Sequence, residues 1–151
     1  MKVRELMTSD VKTCRPETNL AEAVKNMWDG DCGALPVVND EGGVTGVITD
    51  RDICIAVATR GRSADRIAVR EVAQGHAHTS LPDDDATIAL QTMKTHKIRR
   101  LPVVDADGHV RGMLSLDDVV THAGAATPTE LVSTLASICE HRRPVAMAGA
   151  A

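Results

Sequence analysis

Two short stretches of the chain repeat one chemical pattern: a glycine, two apolar residues, a hydroxyl residue and, three positions later, an aspartate. They are GVITDRD at 46–52 and GMLSLDD at 112–118. In each, the apolar residues predict the end of a strand and the hydroxyl residue the start of a helix. A helix N-terminus offers free N–H groups that favour a phosphate, and a carboxylate one turn later can accept hydrogen bonds from ribose hydroxyls. The pattern therefore indicates a nucleotide-binding site.

The same residues also admit a purely structural interpretation. Thr49 and Ser115 could be the N-caps of their helices, with Asp52 and Asp118 completing a capping box at the third helical position. Two copies in register, each behind a strand that begins with glycine, favour ligand binding over capping alone. The two roles can coexist.

A pair of arginines supplies a second candidate for phosphate binding. Arg99 and Arg100 precede the apolar stretch LPVV, and a guanidinium binds phosphate with a forked geometry. A solvated strand edge is the alternative interpretation. The equivalent positions in the first copy are Gly33 and Ala34, which are small and uncharged. The two sites should therefore differ, with the arginine clamp belonging chiefly to one of them.

The repetition extends over most of the chain at a constant offset of 66 residues. Residues 3–5 match 69–71 as VRE, and residues 35–38 match 101–104 as LPVV, without a gap. Such agreement predicts two halves with one shared fold.

Each half is predicted to have the order β-α-β-β-α. In the first half, the segment Val11–Cys14 is extended, the strands are Ala34–Val38 and Val44–Ile48, and the turn NDEGG makes them a hairpin. The first helix has Thr18 or Asn19 as N-cap, ends at Gly30 and directs inward Leu20, Ala23, Val24 and Met27. The second is capped by Asp50, ends near Gly61 and directs inward Ile53, Ala56 and Val57.

The sequence thus predicts an α/β (α+β) fold of two tandem motifs, 1–60 and 69–122, joined by a linker at 61–68. A half of this size is marginal alone, so the halves should pack sheet to sheet about a pseudo-two-fold axis. This packing predicts a cleft between the halves with two related sites.

A C-terminal helix and tail are predicted over 123–151. Thr127 to Glu130 form a capping box with Pro128 at the first helical position, and Leu131, Leu135 and Ile138 share one face. That face could fold back on its own module or pack against a second chain. Residues 142–151 are predicted to be a frayed tail.

Composition narrows the class of protein. The 151 residues are 43 % apolar, only 1 % aromatic, and carry a net charge of −4, which disfavours a nucleic-acid partner. No apolar run approaches the roughly 20 residues that span a bilayer, and the N-terminus has no signal-peptide pattern. A cytoplasmic protein without a membrane or nucleic-acid partner is expected.

The remaining reactive side chains form no recognisable catalytic or metal-binding set. The four cysteines, Cys14, Cys32, Cys54 and Cys139, make no CxxC pair and are expected to be small buried hydrophobes. The spacing of His76 and His78 is possible for a metal, but no cysteine or carboxylate accompanies it. We therefore expect neither catalytic residues nor a bound metal.

Taken together, the repeat, the LPVV strands and the paired G-h-h-[T/S]-x-x-D motifs (h, apolar) resemble a CBS-domain pair, or Bateman module, over about residues 1–122. The sequence TDRDI at 49–53 and the short C-terminal extension are similar to those of small stand-alone bacterial members, including the hypoxic response type. The resemblance implies a non-catalytic regulatory module without a catalytic cofactor. Such modules bind AMP, ADP, ATP, NAD or S-adenosylmethionine in the cleft and signal to a partner protein.

The resemblance also implies roles for residues at both sites. At the first, Asp118 would hold ribose, Ser115 phosphate, and Arg99 and Arg100 would clamp phosphate, while the adenine would be lined by Met113, Cys32, Gly33, Met7 and the backbone near Lys12. At the second, the equivalent residues would be Asp52, Thr49, Val47, Ala73, His78, Ile98 and Arg99. Because Gly33 and Ala34 replace the arginines, this second site is expected to prefer less terminal charge, as in NAD or the adenosyl end of S-adenosylmethionine.

Members of the family pair into flat dimers, so a homodimer with a separate effector protein is expected. Two other classes remain open. One is a structural dimeric protein whose motifs act only as caps. The other is a redox or metal-responsive protein that uses its cysteines or histidines.

Overall fold

Each half of the molecule is a two-stranded hairpin flanked by helices. The structure, a computed structural model, describes residues 1–73 and 75–140. The elements in chain order are α1 (Val3–Leu6), α2 (Leu20–Asp29), β1 (Ala34–Val38), β2 (Val44–Thr49), α3 (Asp50–Arg60), α4 (Ala86–His96), β3 (Arg100–Val104), β4 (Val110–Ser115), α5 (Leu116–Thr121) and α6 (Pro128–Cys139). The α+β class and the two tandem motifs are confirmed.

The two hairpins have the same register. Strand β1 pairs antiparallel with β2 and β3 with β4, and both ladders shift at the same repeat position, between the last two residues of the first strand. A third segment joins each hairpin in parallel: the N–H of Cys14 donates to the carbonyl of Pro36 (3.1 Å), and that of Ser80 to Pro102 (3.0 Å). The apolar composition of β1 and β3 follows from burial on both faces.

In the first half, the start of α2 agrees with the sequence prediction and the start of α3 differs from it. Asn19 caps α2, as predicted, with its side chain accepting from the N–H of Glu22 at 2.9 Å. The predicted cap Asp50 is wrong, because Thr49 is the N-cap of α3 and Asp50 is its first helical residue. The side chain of Thr49 accepts from the third helical N–H, which a residue inside the helix cannot do.

Two apolar residues predicted to point inward lie at the surface instead. Val24 of α2 and Val57 of α3 are 43 % and 39 % exposed. They lie on helix flanks that face away from the hairpin, whereas Leu20, Ala23 and Ile53 face it and are buried. Sequence periodicity marks the apolar side of a helix but not how much of it the neighbouring elements cover.

The halves exchange their leading segments. Val3 and Leu6 of α1 lie in the hydrophobic core of the second half, whereas Ile67 and Val69 lie in the core of the first. Ile67 is fully buried, so the predicted polar linker ends in a core residue. The residue limits of the two motifs stay a prediction, since the cores cross them.

A pseudo-two-fold axis passes between the two hairpin turns. The N–H of Val44 donates to Gly108 (3.1 Å) and the N–H of Val110 donates to Gly42 (3.3 Å), which are the same bond related by the repeat. Strand β1 lies beside β4, and β2 beside β3. The predicted sheet-to-sheet packing of the halves is confirmed.

Helix α6 folds back on its own module and packs against α4. Thr127 is the N-cap with Pro128 in the first turn, as predicted. The predicted contact face is partly wrong, because Thr134 is buried while Leu135 is 46 % exposed. The small hydroxyl side chain lets α6 approach α4, and this turns Leu135 outward. The predicted tail at 142–151 lies outside the described residues.

Among residues 1–73 and 75–140, no helix is both long enough and apolar enough to cross a membrane.

Candidate functional site

A cleft of about 1360 Å³ opens between the two halves. Both halves contribute to its walls, as the repeat predicted. Seven residues predicted for the Asp118 site line it together: Lys12, Cys32, Gly33, Arg100, Met113, Ser115 and Asp118. We call this space the Asp118 cleft.

At its centre, Ser115 and Asp118 form the capping box of α5. Oδ2 of Asp118 accepts hydrogen bonds from the hydroxyl and from the backbone N–H of Ser115, both at 2.7 Å. The N–H of Asp118 donates to Oγ of Ser115 at 3.1 Å. The capping box predicted for this motif is therefore confirmed. Among the described residues, only Oδ2 is used, which leaves Oδ1 available to a ligand in the cleft.

Only one of the two predicted clamp arginines lines this cleft. Arg100 does, whereas Arg99 lies elsewhere, with Nη2 3.9 Å from Sγ of Cys139 on α6. Arg99 precedes β3, and its side chain contacts α6 rather than the wall of the cleft. Of the two predicted clamp residues, the structure therefore brings Arg100 to the Asp118 cleft and leaves Arg99 outside it.

Met7 is also displaced from its predicted role as a wall of the adenine site. It packs at the edge of the second core and lies beside Gly112, where an added Cβ would be 3.0 Å from its sulfur. Its neighbour Thr8 lines the cleft instead. Thr8 exchanges two backbone hydrogen bonds with Met113, and this pairing turns the side chain of Met7 inward.

The cleft contains carboxylates that the motif analysis did not single out: Asp10, Asp29, Asp31, Asp50 and Asp117. They outnumber its basic residues, Lys12 and Arg100. Asp50 approaches Gly33 so closely that a Cβ at Gly33 would lie 2.8 Å from Oδ2 of Asp50. The absence of a side chain at Gly33 therefore makes room for an acid. The sequence could have indicated this difference between the halves, because the repeat aligns the acidic Asp50 with the apolar Leu116.

Trp28 is a further lining residue that the sequence analysis did not assign. It is the single aromatic residue in the chain, it lines the outer part of the cleft, and it is 85 % exposed. It follows Val24 by one helical turn, and both residues lie on the open flank of α2. An exposed tryptophan at a cleft is a natural reporter of ligand binding.

The residues predicted for the second site do not line the Asp118 cleft. Thr49 and Asp52 form a matching capping box, with Oδ2 of Asp52 accepting from the hydroxyl (2.6 Å) and N–H (3.0 Å) of Thr49. The backbone oxygen of Ala73 lies beside Gly46 of β2, the strand that also contains Val47. The halves thus keep equivalent motifs in different surroundings.

His78 and Ile98 occupy the second-half positions equivalent to Lys12 and Cys32. The ring of His78 stacks on that of His96, with centroids 3.5 Å apart. Burial lowers the pKa of His78, and the nearby charge of His96 lowers it further. Ile98 packs against the second core.

The cysteines differ from the expectation of buried hydrophobes. Cys14 is buried, and burial, with a smaller contribution from Glu22, raises its pKa to about 11. Cys32, Cys54 and Cys139 are exposed, and the first two line the Asp118 cleft. The expectation is correct for Cys14 alone, because the other three lie on helix flanks or at the cleft rather than under a sheet.

One group of side chains could offer ligands to a metal ion. Atoms of Asp105, Asp107 and His109 lie within 4.8 Å of one another in the turn between β3 and β4. Oδ1 of Asp105 accepts the N–H groups of Asp107 and His109, and Oδ2 pairs with Arg111. These bonds organise the turn itself and account for the cluster without an ion.

Comparisons with known proteins all point to one family. The family model described as "CBS domain" matches twice, at residues 3–59 and 69–124. The chain is 35 % identical over 124 residues to the CBS domain-containing protein YhcV of Bacillus subtilis, covering 80 % of this chain and 84 % of YhcV. It is 33 % identical to the homoserine O-acetyltransferase of Methanococcoides burtonii, covering 78 % of this chain but only 23 % of that enzyme.

Solved structures show the same fold. The CBS domain protein TA0289 of Thermoplasma acidophilum has a TM-score of 0.79 at 26 % identity, covering 91 % of this chain and 75 % of that one. Hypoxic Response Protein I, solved with two coordinated zinc ions, has a TM-score of 0.73 at 26 % identity, covering 81 % and 98 %. PAE2072 of Pyrobaculum aerophilum, complexed with AMP, has a TM-score of 0.77 at 23 % identity, covering 88 % and 99 %.

Proposed function

Because this chain belongs to the CBS domain family and carries a pair of its motifs, we propose that it is a non-catalytic regulatory module for an adenosine-containing ligand. The observation that carries the proposal is the position of the Ser115–Asp118 pair. It lies in a cleft built by both halves, and one carboxylate oxygen has no partner among the described residues. Capping explains Oδ2, whereas a ligand explains why the pair faces the cleft.

In this proposal, Oδ1 of Asp118 accepts hydrogen bonds from the ribose hydroxyls. Ser115 and Arg100 contact a phosphate where the ligand carries one. The adenine packs against the side chains of Met113 and Cys32, near the backbone of Lys12. These contacts are made by aliphatic and sulfur groups rather than by an aromatic ring. Gly33 leaves the space that Asp50 occupies at the wall of the cleft.

The acidic walls bear on which ligand fits. Asp50 and Asp117 line the cleft together with Arg100, and a triphosphate would bring further negative charge into this acidic space. The charge balance favours a monophosphate such as AMP, or a cationic ligand such as S-adenosylmethionine, over ATP. NAD and ADP are intermediate cases in this series.

A ligand that touches both halves can transmit a signal. It stabilises the relative arrangement of the halves to which it binds more tightly, and the shift is limited by that difference in affinity. We propose that a separate effector protein responds to this arrangement. The site around Asp52, Thr49, Val47, Ala73, His78, Ile98 and Arg99 is proposed as the related second site.

The first experiment is a thermal-shift series with AMP, ADP, ATP, NAD and S-adenosylmethionine on the wild type and on Asp118→Ala. A ligand at about 100 times its dissociation constant adds about 2.7 kcal/mol to stability, which raises the melting temperature by several degrees. We expect a rise with AMP or S-adenosylmethionine that Asp118→Ala removes. No rise with any of the five, in protein freed of co-purified nucleotide, would contradict the proposal.

We further propose that the chain forms a homodimer through the open flank of α2 and that it acts in the cytoplasm. Val24 and Trp28 are exposed there, whereas their repeat equivalents on α4, Leu90 and Lys94, lie under α6. The flank therefore has the shape to receive a helix of a second copy. Sedimentation should show a dimer in the wild type and a monomer in Trp28→Glu; a monomeric wild type would contradict the dimer.

A further inference from the structure

Helix α6 is attached to the second half by the apolar side chains of Leu131 and Ile138 and, at α4, by small polar groups. Nζ of Lys94 donates to Oγ of Ser133 at 2.5 Å, and Oγ of Ser137 donates to the carbonyl of Lys94 at 3.0 Å. Thr134, a residue of α6, is buried, with only 3 % of its surface exposed. A crevice of about 180 Å³ remains between the two helices. The contact is therefore specific but incompletely packed.

The C-terminal end of α6 continues past α4 to the start of β3. Nζ of Lys97 pairs with Oε2 of Glu140 at 2.7 Å, and Nη2 of Arg99 lies 3.9 Å from Sγ of Cys139. Lys97 and Arg99 thus contact the residue that follows α6 and the last residue of α6, respectively. Both belong to the segment that leads into the strand on the Asp52 side of the pseudo-two-fold axis.

The residues under α6 are the repeat equivalents of residues that line the open cleft. Leu90, Lys94, Lys97 and Arg99 correspond, at the offset of 66, to Val24, Trp28, Asp31 and Gly33. In the first half, a single helical turn at Ala64–Arg66 packs against α2 instead, and the chain then enters the core at Ile67. The cover is therefore present on one side of the molecule and absent from the other.

We propose that α6 is a strap that closes the counterpart of the Asp118 cleft, on the Asp52 side, so that the resting chain offers one open ligand site. The inference rests on the proposed function, because it assumes that the Asp52 motif can bind when it is accessible. Release of α6 would free Lys97 from Glu140 and Arg99 from Cys139 and make both basic groups available to a ligand at the second site.

The closed site should differ from the open one in charge, in the direction opposite to the sequence expectation, because Gly33 lines the Asp118 cleft and Arg99 does not. Its Arg51, Lys97 and Arg99 correspond to Asp117, Asp31 and Gly33 of the Asp118 cleft. A basic site of this kind suits a phosphorylated adenosine nucleotide, because guanidinium and ammonium groups pair with phosphate. The C-terminal helix would then govern access to a site with different ligand preference from the open one.

The test is a calorimetric titration with AMP that counts sites per chain. Thr134→Arg should force α6 away from α4, because the buried position has no room for a long charged side chain. The control is Leu135→Arg, the same substitution at the neighbouring, outward-facing position. A milder variant, Glu140→Lys, replaces the ion pair to Lys97 by repulsion at a side chain that is 68 % exposed, so it leaves the core intact. Amide hydrogen exchange of α6 verifies its release.

We expect one site in the wild type and in Leu135→Arg, and two in Thr134→Arg and Glu140→Lys. Two sites in the wild type would overturn the strap, as would one site in variants whose α6 exchanges freely. Binding only in the released variants would support the strap but contradict AMP binding in the Asp118 cleft. No AMP binding in any variant, with α6 shown to be released, would contradict the strap; the proposed function would fail as well only if S-adenosylmethionine and the other ligands of the thermal-shift series also gave no rise.

Discussion

Asp118 and Asp52 have the same local geometry and different surroundings. Each accepts the hydroxyl and the N–H of its N-cap residue through Oδ2. Asp118 lines the open cleft, whereas Asp52 does not. Any functional difference between the two must therefore come from what lies around the motif. This makes Asp52 an internal control for Asp118.

The thiols should separate into two classes. Cys32, Cys54 and Cys139 are exposed, whereas Cys14 is buried and its pKa is raised to about 11. Because the thiolate is the reactive form, Cys14 should not react near neutral pH until the chain unfolds. Titration with a thiol reagent should therefore count three groups in the native protein and a fourth in denaturant.

The identity of the protected thiol is checked with Cys14→Ala, which should lose the denaturant-dependent group alone. Four reactive thiols in the native wild type would show that the segment before α2 opens readily. If oxidation of the exposed thiols changed the oligomeric state, the redox alternative would gain support.

His78 should make stability depend on pH below neutrality. Burial first, and then the charge of His96, lowers its pKa from the ordinary 6.5. The unfolded chain therefore takes up the proton before the folded chain does as the pH falls. The stability that is fully present above the unfolded pKa is lost as the pH drops below it.

The check is the melting temperature of wild type and His78→Gln at about pH 7.5 and about pH 5.5, a range in which histidine changes its charge. The wild type should lose more stability over this range than the variant, which cannot take up the proton. Equal losses would assign the pH dependence to other groups.

At the scale of the elements, the two central strands β2 and β4 differ in how closely another segment approaches them. A Cβ at Gly112 would lie 2.5 Å from the backbone oxygen of Thr8, whereas the nearest atom to a Cβ at Gly46 is 3.9 Å away. Gly112→Ala should cost roughly 1–3 kcal/mol through overpacking. Gly46→Ala should be nearly neutral, and urea denaturation of both variants measures the difference. Equal costs would contradict the close contact of the N-terminal segment with β4.

Most elements could be predicted because their signals are local. The LPVV strands, the Asn19 cap and the Thr127 capping box depend on residues within a few positions of one another. The burial of Val24, Val57 and Leu135 could not be predicted in the same way. Whether a helix flank is covered depends on which distant element packs over it, and here α6 covers α4 but not α2.

At the scale of the whole molecule, the repeat predicted the pairing of the halves and the cleft between them. The resemblance to CBS-domain pairs, rather than the repeat, placed Lys12, Cys32 and Gly33 with Met113 and Asp118, which come from opposite halves. It could not assign Arg99, because the contact of this side chain comes from Cys139 on the distant helix α6. It also missed Asp50 and Asp117, whose charge matters only once the halves face each other.

The exchange of leading segments ties the halves together. Residues of α1 fill the core of the second half, and Ile67 and Val69 fill that of the first. A ligand that spans the cleft therefore acts on two bodies that already share their cores. We expect its effect to be a small adjustment of their arrangement rather than a separation.

The most direct test of the central claim compares Asp118→Asn with Asp52→Asn in calorimetric titrations with AMP and, in parallel, S-adenosylmethionine. Asparagine keeps an oxygen to accept from the N-cap residue but replaces the other carboxylate oxygen by an N–H donor, which cannot accept from ribose. The account predicts binding weakened about tenfold or more, a cost of about 1.4 kcal/mol, in Asp118→Asn. Asp52→Asn should bind as the wild type does. Equal binding in both variants and the wild type would show that the Ser115–Asp118 pair is only a helix cap.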